Sequence, residues 1–80
     1  MSLANAVKFR VFKLCDERDI SINKLATICG IAPSSIKNIL YGKSKNPKLQ
    51  TIKIICDGLE ITLAEFFDTE EFNSLEQEIK

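Results

Sequence analysis

Four polar side chains recur at helical spacing in the middle of the chain. They are Ser34, Lys37, Asn38 and Tyr41. At about 100° per residue they share one side of a helix, opposite the apolar Ile36, Ile39 and Leu40. Lysine can bond to O6 and N7 of guanine, asparagine can bond to adenine through two atoms, and serine can bond to several bases. The pattern predicts a helix whose polar side suits the edges of nucleic-acid bases, although an ordinary solvated helix face is the alternative.

The charged residues are divided unequally along the chain, although basic and acidic side chains both number 11. Residues 1–55 contain ten basic and three acidic side chains, a net charge of +7, and residues 56–80 contain one and eight, a net charge of −7. From Ile20 to Ile55 there are six lysines and no acidic residue. This asymmetry is typical of a protein with one side facing a polyanion, but a solvated lysine-rich surface would carry the same charges.

Most residues that catalytic and metal-binding chemistry requires are missing from the sequence. It has no histidine, no C-x-x-C pair among its three cysteines, and no glycine-rich phosphate loop. Nucleophile–base pairs, zinc sites and nucleotide cradles therefore lack their usual residues. We predict no enzyme, no catalytic residue, no metal and no cofactor. We expect Cys15, Cys29 and Cys56 to be reduced and to pack in the core.

Length and composition predict one small globular domain, because 80 residues with 45% hydrophobic content can form a single core. No apolar run approaches the roughly 18 residues that a membrane span needs. No charged-then-apolar leader opens the chain either. We therefore expect a soluble, cytoplasmic protein that makes no membrane contact.

Apolar residues recur every three or four positions and never in strict alternation, which predicts five helices and no strand. The predicted helices cover about 3–18, 21–29, 33–41, 49–58 and 62–67. Ser21 is a good N-cap, Pro33 suits the first position of a helix, and Gly30 is a natural stop. The sequence Thr62-Leu63-Ala64-Glu65 has the pattern of a capping box.

The connection between the second and third helices, Gly30-Ile31-Ala32, is short enough to force a sharp crossing. With Ile22 as position one, the small Ala26 falls at position five and Gly30 at position nine. The branched Ile36 falls at position fifteen. A small residue lets two helices approach, a glycine accepts a left-handed turn, and a branched residue fills the angle between them. This spacing is that of a helix-turn-helix.

From Val7 to Phe67 the sequence resembles the Cro and lambda-repressor type of helix-turn-helix domains, also called the XRE family. The matching segments are Ile20-Ser21, Leu25-Ala26, Gly30-Ile31, Ser35-Ile36, Tyr41-Gly42-Lys43, Asn46-Pro47-Lys48-Leu49 and 59–66. The resemblance implies an all-α, compact five-helix lambda-repressor-like domain over residues 4–68. In the family, the third helix enters the major groove, and dimers bind operators to regulate transcription.

The resemblance also implies roles for individual residues. Base contacts fall to Ser34, Lys37 and Asn38. Phosphate contacts fall to Ser21, Ile22, Ser35, Tyr41, Lys43, Lys45 and Lys48. Ile22 can contribute only its backbone N–H at the start of a helix. Pro33 stands where many members have a polar base-reading residue, so base readout rests on the three residues named first.

These expectations combine into a sequence-specific regulator that binds double-stranded DNA. We expect a repressor of prokaryotic or phage origin, associated with the nucleoid and bound to its operator as a homodimer. The alternative is an antitoxin or another protein-interaction module whose acidic C-terminal part holds a protein partner. The two functions are compatible, because antitoxins can also bind operators.

Residues 69–80 form an acidic amphipathic tail, for which a helix and a frayed terminus are equally supported. Phe9 and Phe12 lie outside the apolar stripe of the first helix, and two exposed phenylalanines form a patch that soluble monomers seldom tolerate. We expect the tail to fold over this patch, with a second subunit as the alternative cover. The tail residues that would make the contact are Phe72, Leu75 and Ile79.

Overall fold

The computed structural model describes residues 1–42 and 47–79, which form six α-helices and no strand. The helices are α1 (Leu3–Glu17), α2 (Ile22–Cys29), α3 (Pro33–Tyr41), α4 (Leu49–Gly58), α5 (Leu63–Phe67) and α6 (Glu70–Asn73). The prediction of an all-α fold is confirmed. Even α1, with 15 residues, is too short to cross a membrane, and no other described helix is long and apolar enough to do so.

A single core joins the first five helices. Each of them contributes at least one fully buried side chain, and these include Val11, Leu25, Ile36, Ile55 and Phe66. The apolar stripe predicted for α1 is buried, and Cys15 and Cys56 lie in the same cluster as free thiols. Cys29 is half-buried at the edge of that cluster. The predicted packing of the cysteines is therefore confirmed for two of them and is only partial for the third.

Side-chain caps fix where four of the described helices begin, and at α6 the cap is the Thr69 hydroxyl, which accepts the Phe72 N–H at 3.4 Å. The hydroxyl oxygens of Ser2 and Ser21 each accept a backbone N–H from three residues further on, at 3.1 and 3.0 Å. At the start of α5, Thr62 Oγ1 accepts the Glu65 N–H, and Glu65 Oε1 accepts the Thr62 N–H, both at 3.0 Å. This is the predicted capping box. The hydrogen bonds from Thr62 also lower the pKa of the Glu65 carboxyl, because they favour its charged form.

Three helices are each followed by a left-handed turn of the same type. The residues with positive φ in these turns are Gly30 (φ 69°), Asp19 (φ 53°) and Glu60 (φ 58°). In each turn the next residue donates its N–H to a carbonyl five positions back, at 3.0 to 3.1 Å. The turns satisfy carbonyl groups that would otherwise be unpaired at the helix ends. Only the first of them uses the residue type that adopts this conformation without strain.

Arg10 connects α1 to α5. Its Nε donates to the Phe66 carbonyl oxygen at 2.7 Å, and its Nη2 donates to the Glu65 carbonyl oxygen at 2.8 Å. The guanidinium carbon also lies 5.9 Å from the centre of the Phe66 ring. One side chain thus satisfies two carbonyl groups of the last turns of α5 and stacks near its buried ring.

The tail does not cover the exposed phenylalanines of α1, so that expectation is wrong. Helix α6 has only four residues, because the Ser74 N–H and hydroxyl both bond to the Glu70 carbonyl and end it. Phe72 packs against Phe67, with ring centres 4.9 Å apart. Beyond it, Leu75 lines a cavity whose other wall is formed by Met1, Ser2 and Leu3, while Ile79 remains 87% exposed. The tail therefore docks near the start of α1 and leaves Phe9 and Phe12 uncovered.

Candidate nucleic-acid interface

Helix α3 has one buried side and one exposed side, as its sequence predicts. Ile36 is fully buried, and Ile39 and Leu40 are nearly so. The opposite side carries four exposed polar residues, Ser34, Lys37, Asn38 and Tyr41. Since the apolar side is fixed in the core, the four polar side chains are held together on the surface of the domain. We call them the α3 polar face.

The turn between α2 and α3 sets the direction of this face. Gly30 lies in the left-handed region, and the Ile31 N–H donates to the Ala26 carbonyl at 3.1 Å. Ala26 and Ile36 are both fully buried where the two helices meet. A small residue on α2 and a branched residue on α3 therefore form the close crossing expected of a helix-turn-helix.

The start of α3 carries no side-chain cap. Its N-cap residue is Ala32, which has no hydrogen-bonding side chain, and Pro33 occupies the first helical position. The Ser35 N–H donates to the Ala32 carbonyl oxygen at 3.0 Å. The side chains of Ser34 and Ser35 are both exposed on this first turn. Their hydroxyl groups thus lie beside the positive end of the α3 dipole.

Two more residues with predicted phosphate contacts, Ser21 and Ile22, lie at the start of α2 and differ in exposure. Ser21 is exposed, and its hydroxyl oxygen accepts the Lys24 N–H, which leaves the hydroxyl hydrogen able to donate. The Ile22 side chain is half-buried against the core. The predicted phosphate contact of Ile22 through its backbone N–H stays a prediction.

The chain leaves α3 through a position where only glycine fits. The Gly42 N–H bonds to the Asn38 carbonyl oxygen at 3.0 Å, and a Cβ at Gly42 would overlap that same oxygen. Lys48 is exposed at the N-cap of α4. The two other predicted phosphate-contacting lysines, Lys43 and Lys45, lie outside the described residues.

Three lysines of the acid-free stretch, Lys24, Lys37 and Lys48, have no acidic partner in residues 1–42 and 47–79. In that part of the chain the one ion pair joins Lys53 and Asp57, one turn apart on α4. Lys24, Lys37 and Lys48 are exposed. The absence of acidic residues between Ile20 and Ile55 explains this, because no neighbour in sequence can neutralise these amines.

An aromatic contact at the end of α3 was missed by sequence reasoning. The rings of Tyr41 and Phe12 of α1 have centres 6.0 Å apart and planes inclined at 62°, which is an edge-to-face arrangement. Tyr41 itself is 67% exposed. The sequence did contain a signal, because Phe12 falls off the apolar stripe of α1, but its partner lies on another helix and could not be inferred from spacing.

Neither the cysteines nor the carboxylates form a candidate reaction centre. Burial raises the pKa of the thiols of Cys15, Cys29 and Cys56, which favours their protonated form over the nucleophilic thiolate. Among the described residues, no three Cys, Asp or Glu side chains are grouped as a metal site would require. Within residues 1–42 and 47–79, the exposed polar group that the fold holds on one helix side is the α3 polar face.

A short helix packed across a second helix, with its polar side outward, defines the class of helix-turn-helix domains. The comparison with protein families agrees. The family described as the Cro/C1-type HTH DNA-binding domain matches residues 10–71. The chain therefore belongs to the Cro/C1-type helix-turn-helix DNA-binding domain family.

Individual proteins show the same similarity. The HTH-type transcriptional regulator SlrR of Bacillus subtilis (strain 168) is 37% identical over 62 residues, which cover 76% of this chain and 41% of that protein. The HTH-type transcriptional repressor RghR of the same strain is 40% identical over 48 residues, covering 60% of this chain and 36% of that protein. The chain thus spans less than half the length of these curated relatives.

A solved structure extends the similarity across most of the fold. The crystal structure of the prophage Lp1 protein 11 superimposes with a TM-score of 0.81 and 29% sequence identity. The match covers 94% of this chain and all of that one. It confirms the lambda-repressor-like fold expected from the sequence.

Proposed function

We propose that this protein is a sequence-specific regulator of transcription that represses by occupying a double-stranded DNA operator. The single observation that carries the proposal is the α3 polar face, which is exposed, free of acidic residues and fixed to the core from behind. An α-helix of this kind fits the major groove of B-DNA, where base edges present distinct donors and acceptors. The family membership supports the same function.

Base readout in this proposal belongs to Ser34, Lys37 and Asn38. Lys37 can donate to guanine, and Asn38 can both donate to and accept from adenine. Phosphate contacts belong to Ser21, the Ile22 backbone, Ser35, Tyr41 and the lysines at positions 43, 45 and 48. These contacts fix the position of the domain on the duplex and carry no sequence information.

We further propose that a homodimer binds two half-sites of the operator in the prokaryotic cytoplasm. A two-fold dimer would place its recognition helices one helical turn of DNA apart, or a multiple of it. Regulation by occupancy requires no catalytic activity. In the acidic segment Phe72 packs against Phe67, so the ring of this residue is not free to hold a protein partner.

The experiment that tests the proposal is selection of bound duplexes from a random DNA pool, followed by affinity measurements over a range of salt concentrations. If a dimer makes about six to ten phosphate contacts, log affinity should fall with log salt at a slope of about −5 to −9. Two half-sites separated by about 10 base pairs would support the dimer. A slope near zero would contradict DNA binding.

Two matched variants separate the roles of the residues. Asn38→Ala should cost about 1–3 kcal/mol on the selected site and leave binding to random DNA nearly unchanged. Lys48→Ala should weaken all sequences alike and flatten the salt slope by about one or two units. Lys53→Ala is the control, because that amine is already paired with Asp57 on α4. Equal loss on specific and random DNA for the asparagine variant would show that Asn38 reads no base.

A further inference from the structure

We infer that Phe12 is a positioning residue for DNA binding, which acts by holding the Tyr41 ring at the end of α3. The inference rests on the proposed function, because it takes the Tyr41 hydroxyl to contact a phosphate. It goes further by giving a role to a residue of α1 that belongs neither to the α3 polar face nor to the core.

Phe12 does not belong to the hydrophobic core of the domain. It is 41% exposed and is not among the partly buried residues that pack against the core cluster. Among the described residues its one aromatic contact is with Tyr41, at 6.0 Å between ring centres. Phe12 lies on the outer face of a helix and leaves apolar surface in contact with solvent. Its contact with Tyr41 is therefore the feature of this residue that requires explanation.

Tyr41 occupies a place where a ring needs external support. It is the last residue of α3, and the chain turns away at Gly42 into an extended conformation. Tyr41 is 67% exposed, so its ring has few neighbours to limit its rotation. A contact with the edge or face of another ring limits that rotation, because aromatic rings prefer this geometry. The contact thus orders the ring before DNA arrives, which lowers the conformational entropy lost on binding.

Phe9 provides an internal comparison on the same helix. It is 44% exposed, close to the value for Phe12. Its described aromatic contact is with a cation, since the Lys13 Nζ lies 6.0 Å from the ring centre. Phe9 therefore has the same residue type and helix as Phe12 and nearly the same exposure, but among the described residues it makes no aromatic contact with α3. Truncation of either side chain removes similar apolar surface, but only truncation of Phe12 releases Tyr41.

The DNA-binding test is a double-mutant cycle on the sequence selected by the protein itself. Phe12→Ala should weaken binding by about two- to tenfold, the range that one aromatic pair can supply. Tyr41→Phe, which keeps the ring and removes the hydroxyl, should weaken binding by a similar factor of about two to ten. In the Tyr41→Phe background, Phe12→Ala should change affinity by less than about twofold, because the hydroxyl that it positions is gone. Phe12→Tyr should restore binding, and Phe9→Ala should leave it unchanged.

A second measurement requires no DNA, because Tyr41 is the only tyrosine and the sequence has no tryptophan. Tyrosine fluorescence anisotropy and near-ultraviolet circular dichroism therefore report the surroundings of this one ring. Phe12→Ala should lower the anisotropy of the free protein and change its dichroism near the tyrosine band. Phe9→Ala should alter neither signal, and far-ultraviolet spectra should show that both variants remain helical.

Three results would overturn the inference. The first is an effect of Phe12→Ala on affinity that is equally large in the Tyr41→Phe background. The second is unchanged affinity in Tyr41→Phe, and the third is loss of binding in Phe9→Ala equal to that in Phe12→Ala. Failure of the proposed function looks different, because the parent protein would then show no salt-dependent DNA binding while the tyrosine signals still respond to Phe12→Ala.

Discussion

The α2–α3 unit and the contact of α1 with α5 and α6 are held together in different ways. In the first, the crossing is fixed by a three-residue connection and by a hydrogen bond from Ile31 to Ala26, five positions back. In the second, Arg10 reaches carbonyl groups 55 and 56 positions along the chain. The side that faces the proposed ligand is therefore specified by neighbours in sequence, and the side that closes the core depends on long-range contacts.

This difference separates stability from binding. The α3 polar face needs a rigid backbone behind it, but its side chains make no contribution to the core. The contact of α1 with α5 and α6, which we call the closing region, holds the fully buried Phe66 and carries no predicted DNA contact. Substitutions in the closing region should therefore act on the free energy of unfolding, whereas substitutions on the polar face should act on affinity.

The largest expected effect comes from the closing region. Phe66→Ala should lower the free energy of unfolding by about 3–5 kcal/mol, because a fully buried aromatic side chain leaves a cavity. Urea denaturation followed by circular dichroism measures the change. Phe67→Ala is the matched control, and a clearly smaller loss is expected because Phe67 is half-buried. Equal losses would show that the closing region is not organised around Phe66.

The contact between α2 and α4 tests how tightly the helix-turn-helix is packed on the rest of the domain. A Cβ at Gly58 would lie 2.6 Å from the Cys29 Sγ, closer than two such atoms can approach. Gly58→Ala should therefore destabilise the fold by about 1–3 kcal/mol, as overpacking does. The double variant Gly58→Ala with Cys29→Ala should recover most of this loss, because the sulfur is removed. Thermal denaturation of the parent, the two single variants and the double variant measures these changes. A double variant no more stable than Gly58→Ala would contradict the packing argument.

The left-handed turns at Gly30 and Glu60 should respond to substitution with opposite signs. Nothing lies within 4 Å of a Cβ built at Gly30, so Gly30→Ala should cost about 1–2 kcal/mol from backbone strain alone. Glu60→Gly relieves the same strain and should stabilise the protein by up to about 1 kcal/mol. Both changes can be read from urea midpoints. Destabilisation by the Glu60 variant would show that its side chain contributes more than its backbone strain removes.

The smallest expected effect is a loss of stability at alkaline pH. Burial raises the pKa of the thiols of Cys15 and Cys56, so they remain protonated in the folded state. In the unfolded chain they lose their protons above about pH 8.5. Their contribution is therefore complete below that pH and is lost as pH rises through the folded-state pKa. Urea denaturation at about pH 7 and about pH 10 should show the fall, and Cys56→Ala should reduce it. An identical fall in the variant would assign it to other groups.

Features that depend on neighbouring residues were accessible from the sequence. The caps at Ser21 and Thr62, the turn at Gly30 and the two sides of α3 follow from residue types at fixed spacing, and the structure has them. The ends of α1 and α4 lie within one residue of their predicted positions, but the left-handed turns that follow them, at Asp19 and Glu60, were not predicted, because this conformation usually favours glycine. Because residues other than glycine can adopt this strained conformation in a folded chain, the residue type alone did not predict these two turns.

The sequence by itself determined the five helices of the domain, the helix-turn-helix crossing and the polar face of α3, because helical periodicity and capping are properties of short segments. Only the tertiary structure decided the partners of Arg10 and Phe12 and the place where the tail docks. These depend on how helices distant in sequence cross, and many crossings would bury the same apolar stripes. The tail is an example. Phe72 packs against the rings of Phe66 and Phe67, and the equally apolar Phe9 and Phe12 remain exposed.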